Sequence, residues 1–121
     1  MHIRATIYEP IYALENQRRY MRVSLDDETA ARVRFIQDKN AYKLRNSVVN
    51  DPLIGRTLIL KVPFRYRRVM CEVRGSKGLL SLVKGDELSL EIEYCGTWNL
   101  GESCGHAWKI LSAFTGDEKQ E

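Results

Sequence analysis

Residues 86–94, DELSLEIEY, decide the fold class. Leu88, Leu90, Ile92 and Tyr94 alternate with Glu87, Ser89, Glu91 and Glu93, which is the period of a strand with one buried and one wet face. The same period recurs upstream. Ile3, Ala5 and Ile7 alternate with His2, Arg4 and Thr6 in a strand expected to end near Pro10, and Met21, Val23 and Leu25 alternate with Arg22 and Ser24 over 20–25. Leu58, Leu60 and Val62 share one parity, whereas Val69, Cys71 and Val73 share the other. A one-residue slip turns every side chain to the opposite face, so 63–68 must contain a bulge or a tight turn. A last strand is expected over 106–114, with Trp108, Ile110 and Phe114 on one face.

The period changes after Ser24. Acidic residues at 26–28 followed by Ala30, Val33 and Ile36 or Gln37 predict a helix over 27–38. The connection YKLRNSVVNDPLIGR (42–56) is irregular, since Asn50, Pro52 and Gly55 forbid a long element. SKGLLSLVKGD (76–86) suits a short helix or turn. LENQRR (14–19) reads as a polar loop and CGTWNLGESCG (95–105) as a long glycine-rich hairpin loop. The fold expected is mainly β: a small barrel of about five to six strands with one or two short helices, spanning 1–114 as one domain. A split α+β sheet is the competing arrangement. The end, 115–121, is expected to be a short acidic disordered tail.

The 121 residues suffice for one core without staples, and 44% apolar with 29% charged is ordinary for a globular protein. With no long apolar run and no signal-like start, the chain is read as intracellular, cytoplasmic or, in a eukaryotic or viral setting, nuclear. Three cysteines cannot all pair within one chain, which argues against a secreted disulfide framework. The net charge of +3 is unevenly spread: residues 1–75 carry 15 Lys+Arg against 8 Asp+Glu, and 76–121 carry 4 against 8. A basic body with an acidic end suits a phosphate-rich partner, although a solvated surface of scattered charge gives the same sums.

The stretch FRYRRVMC (64–71) puts three arginines and two rings inside a strand pattern. Cations that follow phosphates and rings that stack on bases are the two requirements for holding a single strand. Phe64, Arg65, Tyr66 and Arg67 supply both, with Arg18, Arg19, Lys61, Arg68, Arg74 and Lys77 as further phosphate contacts and Tyr20 as a further ring. The other reading keeps Phe64 and Tyr66 in the core beside Leu60 and Val62, with the arginines merely solvated. Trp98, between glycines, is expected to be exposed for stacking, and Trp108 to be core. Cys71, Cys95, Cys104 and His106 are the residues of zinc-ligand type, but no Cys-x-x-Cys pair supports them; free thiols, with Cys95 and Cys104 facing each other across a hairpin, are the simpler expectation. No phosphate-cradling loop or nucleophile elbow is present, so neither a cofactor nor an enzymatic activity is expected.

The segment VKGDELSLEIEYCGTWNLGESCGHAWKI (83–110) resembles the final hairpin of OB-fold single-stranded nucleic-acid-binding proteins: a Lys-Gly-Asp turn, an alternating strand, a loop with an aromatic, and an aromatic-led closing strand. The resemblance covers 83–114. It departs from the family in that the strongest helical pattern comes before the third long strand rather than after it. It implies a groove on the middle strands flanked by 14–19 and 95–105, and single-stranded DNA as partner, with RNA the alternative. It also implies little sequence preference, a homo-oligomer, no membrane, and a setting such as viral or mobile-element DNA replication. Two rivals are a protein-interaction module using the same Arg and aromatic surface, and a zinc-stabilised RNA-binding domain.

Overall fold

The computed structural model describes residues 1–13 and 19–115. The polar loop expected at 14–19, apart from Arg19, and the tail beyond Thr115 lie outside the described residues. In chain order the elements are β1 (His2–Ala13), β2 (Arg19–Ser24), α1 (Asp27–Asn40), β3 (Val48–Asn50), β4 (Leu53–Ile54), β5 (Thr57–Val62), β6 (Phe64–Arg65), β7 (Arg68–Val69), β8 (Glu72–Gly75), β9 (Glu87–Leu100) and β10 (Ser103–Thr115). Single 3-10 turns lie at Ala41–Lys43 and Leu79–Ser81. The chain is mainly β, as its alternation requires, with one α-helix among the described residues.

One sheet holds every strand except β6 and β7. Its order is β3-β10-β9-β1-β2-β5-β4, with β8 added in parallel to the far half of β10. β1 serves two neighbours: residues 2–6 pair with β9, and residues 6–13 pair with β2. Lys61 of β5 meets Lys109 of β10 in a parallel bridge, so the sheet curls until its third and last long strands touch. The alternating residues identified in the sequence fill the interior: Ile3, Ile7, Met21, Val23, Leu58, Leu60, Leu90, Ile92 and Ile110 are all sealed from solvent, and Trp108 with them. Burying side chains of this size contributes about 1.5–3 kcal/mol each before chain entropy is charged against it.

The helix closes one side of this core. Asp26 caps it, its carboxylate accepting from Thr29 N at 2.7 Å, and that bond holds the Asp26 carboxyl below its usual range. Val33 and Ala30 face inward, and Gln37 is buried where an apolar residue would be expected. Its amide explains itself by its partners: the Trp108 indole donates to Gln37 Oε1 at 2.9 Å, and Gln37 Nε2 donates to Asp51 Oδ1 at 3.0 Å. Asp51 also accepts from Arg34 Nη1 at 2.6 Å and from Leu53 N at 2.9 Å. A buried amide is tolerated only when satisfied, and this network satisfies it while fixing the helix on the sheet. Burial pushes the Asp51 carboxyl up, but the bonds from Arg34, Gln37 and Leu53 outweigh it and the net shift is downward.

Several boundaries differ from the sequence expectation, each for a local reason. The first strand runs through Pro10 to Ala13, because register shifts between Ile7 and Tyr12 take up the missing donor. The hairpin loop expected at 95–105 is almost all strand. β9 and β10 pair as far as Leu100 and Ser103, leaving only Gly101 and Glu102 to turn, with Gly101 at φ +61°. That is where a two-residue hairpin needs glycine, so the glycines there mark a turn and a bulge rather than a loop. The bulge leaves Cys95 opposite no residue, and the register set by the turn pairs Cys104 with Asn99, so the two thiols do not face each other. Between Ile110 and Ser112 a second shift reverses the parity of β10, so Ala113 and Thr115 are buried and Phe114 turns outward. Thr115 therefore belongs to the folded domain and not to a tail beginning at 115. It is wholly buried, its hydroxyl held by the carbonyl oxygens of Arg74 and Lys77.

Candidate nucleic-acid interface

The parity slip within 63–68 is a tight hairpin. Phe64 pairs with Val69 and Arg65 with Arg68, and only Tyr66 and Arg67 connect them. Both connecting residues have positive φ, +52° for Tyr66 and +66° for Arg67. A two-residue turn of this hand favours Asn-Gly, because a side chain in the left-handed region is strained by roughly 1 kcal/mol or more per residue. The sequence thus holds a bulky ring and a guanidinium at positions where neither is locally favoured. Tyr66 is 82% exposed, so core packing does not compensate.

Around this turn the cations and rings gather. The Arg65 guanidinium lies over the Tyr66 ring at 5.1 Å from its centroid, and Arg19 lies over Phe64 at 5.0 Å. Arg19 opens β2 directly opposite Val62, and Tyr20 stands opposite Lys61 and opposite Tyr12. The Tyr12 and Tyr20 rings are 6.3 Å apart. Since Met21, Leu60 and Val62 point into the core, Tyr20 and Lys61 point out. Lys61 continues the row to Lys109 through the parallel bridge.

Charge pairing is uneven over the surface. Arg4, Arg22, Arg34, Arg56, Arg74, Lys77 and Lys109 each have a carboxylate within ion-pair distance. Among the described residues, none of Lys61, Arg65, Arg67 and Arg68 makes an ion pair. Arg32, Lys39, Lys43, Arg45 and Lys84 make none there either, but only at the hairpin do such cations follow one another in a single turn. Residues 52–71 contain five Lys+Arg and no Asp or Glu, so no acidic partner is supplied locally; Arg56 finds Asp27 across the fold, whereas the other four find none among the described residues. Four unneutralised cations on one rim raise the local potential and attract a polyanion.

The other expected residues are distributed as follows. Arg18 lies outside the described residues. Arg74 and Lys77 differ from the rim cations in being paired. Arg74 pairs across to Phe114, five residues beyond Lys109 and so about 17 Å along β10, and both cations are engaged, by Glu72 and Asp86. Trp98 is not in a loop but in β9, half-buried, opposite Gly105. A Cβ on Gly105 would come within 2.9 Å of the Trp98 ring, so the indole packs on the bare backbone there. Gly105 and Lys109 share the outward parity of β10, which sets Trp98 on the same face as the Lys61–Lys109 bridge, about 13 Å from it. Lys109 and Tyr12 complete this face. Sequence reading left Lys109 aside because its neighbours alternate unremarkably, and only the parallel bridge to Lys61 places it here.

The cysteines and His106 do not converge. Among the described residues no three His, Cys, Asp or Glu side chains come together in a way that could hold a metal ion. Cys104 is buried with its thiol on the Asn46 carbonyl oxygen, Cys95 is exposed, and burial pushes the half-buried Cys71 thiol up. His106 lies inside, its Nδ1 2.7 Å from the Tyr94 hydroxyl, and burial lowers its pKa. Among the described residues, no helix is long and apolar enough to cross a membrane. No protein-family model, curated protein or solved structure matches the chain.

Proposed function

We propose that the protein binds single-stranded nucleic acid, DNA in the first instance, along the outer face of β2, β5 and β10 and the rim of the β6–β7 hairpin. The observation that carries this reading is the gathering of Lys61, Arg65, Arg67 and Arg68, without acidic partners among the described residues, beside the exposed Tyr66 ring and the half-buried rings of Phe64 and Tyr20. Cations left unpaired on a fold that pairs most of its others are suited to an external polyanion, and rings beside them suit unstacked bases more than a duplex backbone. Rings and guanidinium groups accept any base, so little sequence preference is expected. The activity proposed is binding without a chemical step.

The curl of the sheet supports a small OB-like barrel as its frame. Pairing passes from β1 to β2, β5, β10, β9 and back to β1, and the middle strands of such a barrel are where oligonucleotides lie. The helix placed before β5 departs from the family pattern, and among the described residues the one helical element between β5 and β9 is the 3-10 turn Leu79–Ser81. The face between Tyr20 and Trp98 is unaffected by that departure.

Titration of labelled oligo-dT at 50 and 200 mM salt tests the proposal. Four phosphate contacts give a slope of log K against log salt of about −3, a loss of about 50-fold over that range. Oligo-U in the same assay separates DNA from RNA. Salt-independent binding, or no binding beside binding to an acidic protein, would falsify the reading in favour of a protein-interaction surface.

A further inference from the structure

Tyr66 is held differently from the other rings of the interface. Tyr12 and Tyr20 lie along the sheet, half-buried beside each other. Tyr66 stands at the tip of a hairpin that belongs to no larger sheet, on a backbone fixed by two paired residues on either side. Its ring is 82% exposed, and the Arg65 guanidinium stands over one of its faces at 5.1 Å from the centroid. A ring inserted between consecutive bases of a continuous strand needs both faces free. A ring at the tip of a two-residue turn, with a guanidinium beside one face, is placed to stack its other face on the end of a column of bases.

We infer that Tyr66, backed by Arg65, caps the last base pair where a duplex opens into a single strand, so that the protein prefers a single-strand/duplex junction to single strand alone. The inference rests on the nucleic-acid reading above and narrows its ligand. Arg67 and Arg68, which have no acidic partner among the described residues, flank the ring and can meet the phosphates of both strands as they diverge. The left-handed backbone at Tyr66 and Arg67 is what makes the tip short enough to present the ring at its end. A relaxed, longer loop would let the ring fold back onto the sheet.

The experiment compares three labelled ligands at one salt concentration: oligo-dT, a blunt hairpin duplex, and the same duplex carrying an oligo-dT tail of equal length. The full-length protein should bind the tailed duplex about tenfold more tightly than oligo-dT, the range that one additional base stack provides. A 2-aminopurine at the terminal pair should be quenched on binding. Tyr66→Ala should bring the ratio of the two affinities close to one, whereas Lys61→Ala should weaken both and preserve the ratio. Tyr66→Asn with Arg67→Gly, which suits the turn and keeps the hairpin folded, should also abolish the ratio. Equal affinity of the unmodified protein for oligo-dT and tailed duplex would overturn the junction preference and leave the single-strand reading standing. So would Tyr66→Ala lowering both affinities equally. Binding to none of the three ligands would overturn both.

Discussion

The two ends of the segment 64–77, the β6–β7 hairpin and β8 with the turn after it, carry similar charges and treat them in opposite ways. At the β8 end, Arg74 and Lys77 are neutralised by Glu72 and Asp86, and the backbone beside them is locked. A Cβ on Gly75 would lie 1.7 Å from the Thr115 carbonyl oxygen, and the Thr115 hydroxyl is tied to this segment by hydrogen bonds. At the β6–β7 end, Arg65, Arg67 and Arg68 have no acid to meet, and the turn is held in a conformation its residues disfavour. One end spends its charges on the fold, and the other leaves them available. Cation number alone therefore does not distinguish the two ends; the pairing of the cations does.

The comparison breaks most sharply under substitution of the arginines. Replacing Arg65, Arg67 and Arg68 together by alanine should lower oligo-dT affinity about 100-fold at low salt and reduce the salt slope from about −3 to about −0.7. Arg74→Ala with Lys77→Ala should change affinity by less than twofold. Equal effects from the two sets, read by anisotropy across a salt series, would remove the distinction between the ends.

The reverse asymmetry is expected for stability. Gly75→Ala should cost about 2 kcal/mol, because the added methyl collides with backbone and the glycine φ of +112° suits no other residue. Tyr66→Asn with Arg67→Gly should instead stabilise by about 1–2 kcal/mol while weakening binding to a junction. Urea unfolding midpoints measure both changes, and a destabilised turn variant would show that the Tyr-Arg pair serves the fold.

The smallest effect is that of pH. His106 is lowered by burial, so its folded form resists protonation. Stability should be at its highest above the unfolded histidine value near 6.5 and decline as pH falls below it. Asp51 is lowered as well, so its contribution is present above the unfolded carboxylate value near 4 and is lost as pH falls through the folded one. Both groups lie on the helix side of the core, away from the hairpin. Residues 61–69 contain no histidine, cysteine or carboxylate, so oligo-dT affinity should stay flat from pH 6 to 9. A thermal-melt series from about pH 3 to 8 beside a binding series from pH 6 to 9 separates the two behaviours.

The alternation of 86–94, the helix beginning at Asp27, the slip between Val62 and Val69 and the basic character of 64–68 were all legible in the sequence, because each depends on neighbours a few residues apart. The burial of Trp108 followed from the same local pattern. The glycines of 95–105 misled, since a glycine signals positive φ without saying whether a loop, a bulge or a two-residue turn requires it. Tertiary structure alone decided that Lys109 joins Lys61 across a parallel bridge, that Phe114 turns outward after a bulge, and that Arg74 and Lys77 are neutralised while Arg65, Arg67 and Arg68 are not. Those outcomes depend on which strands meet around the curl, and strand pairing is a long-range choice that no local period encodes.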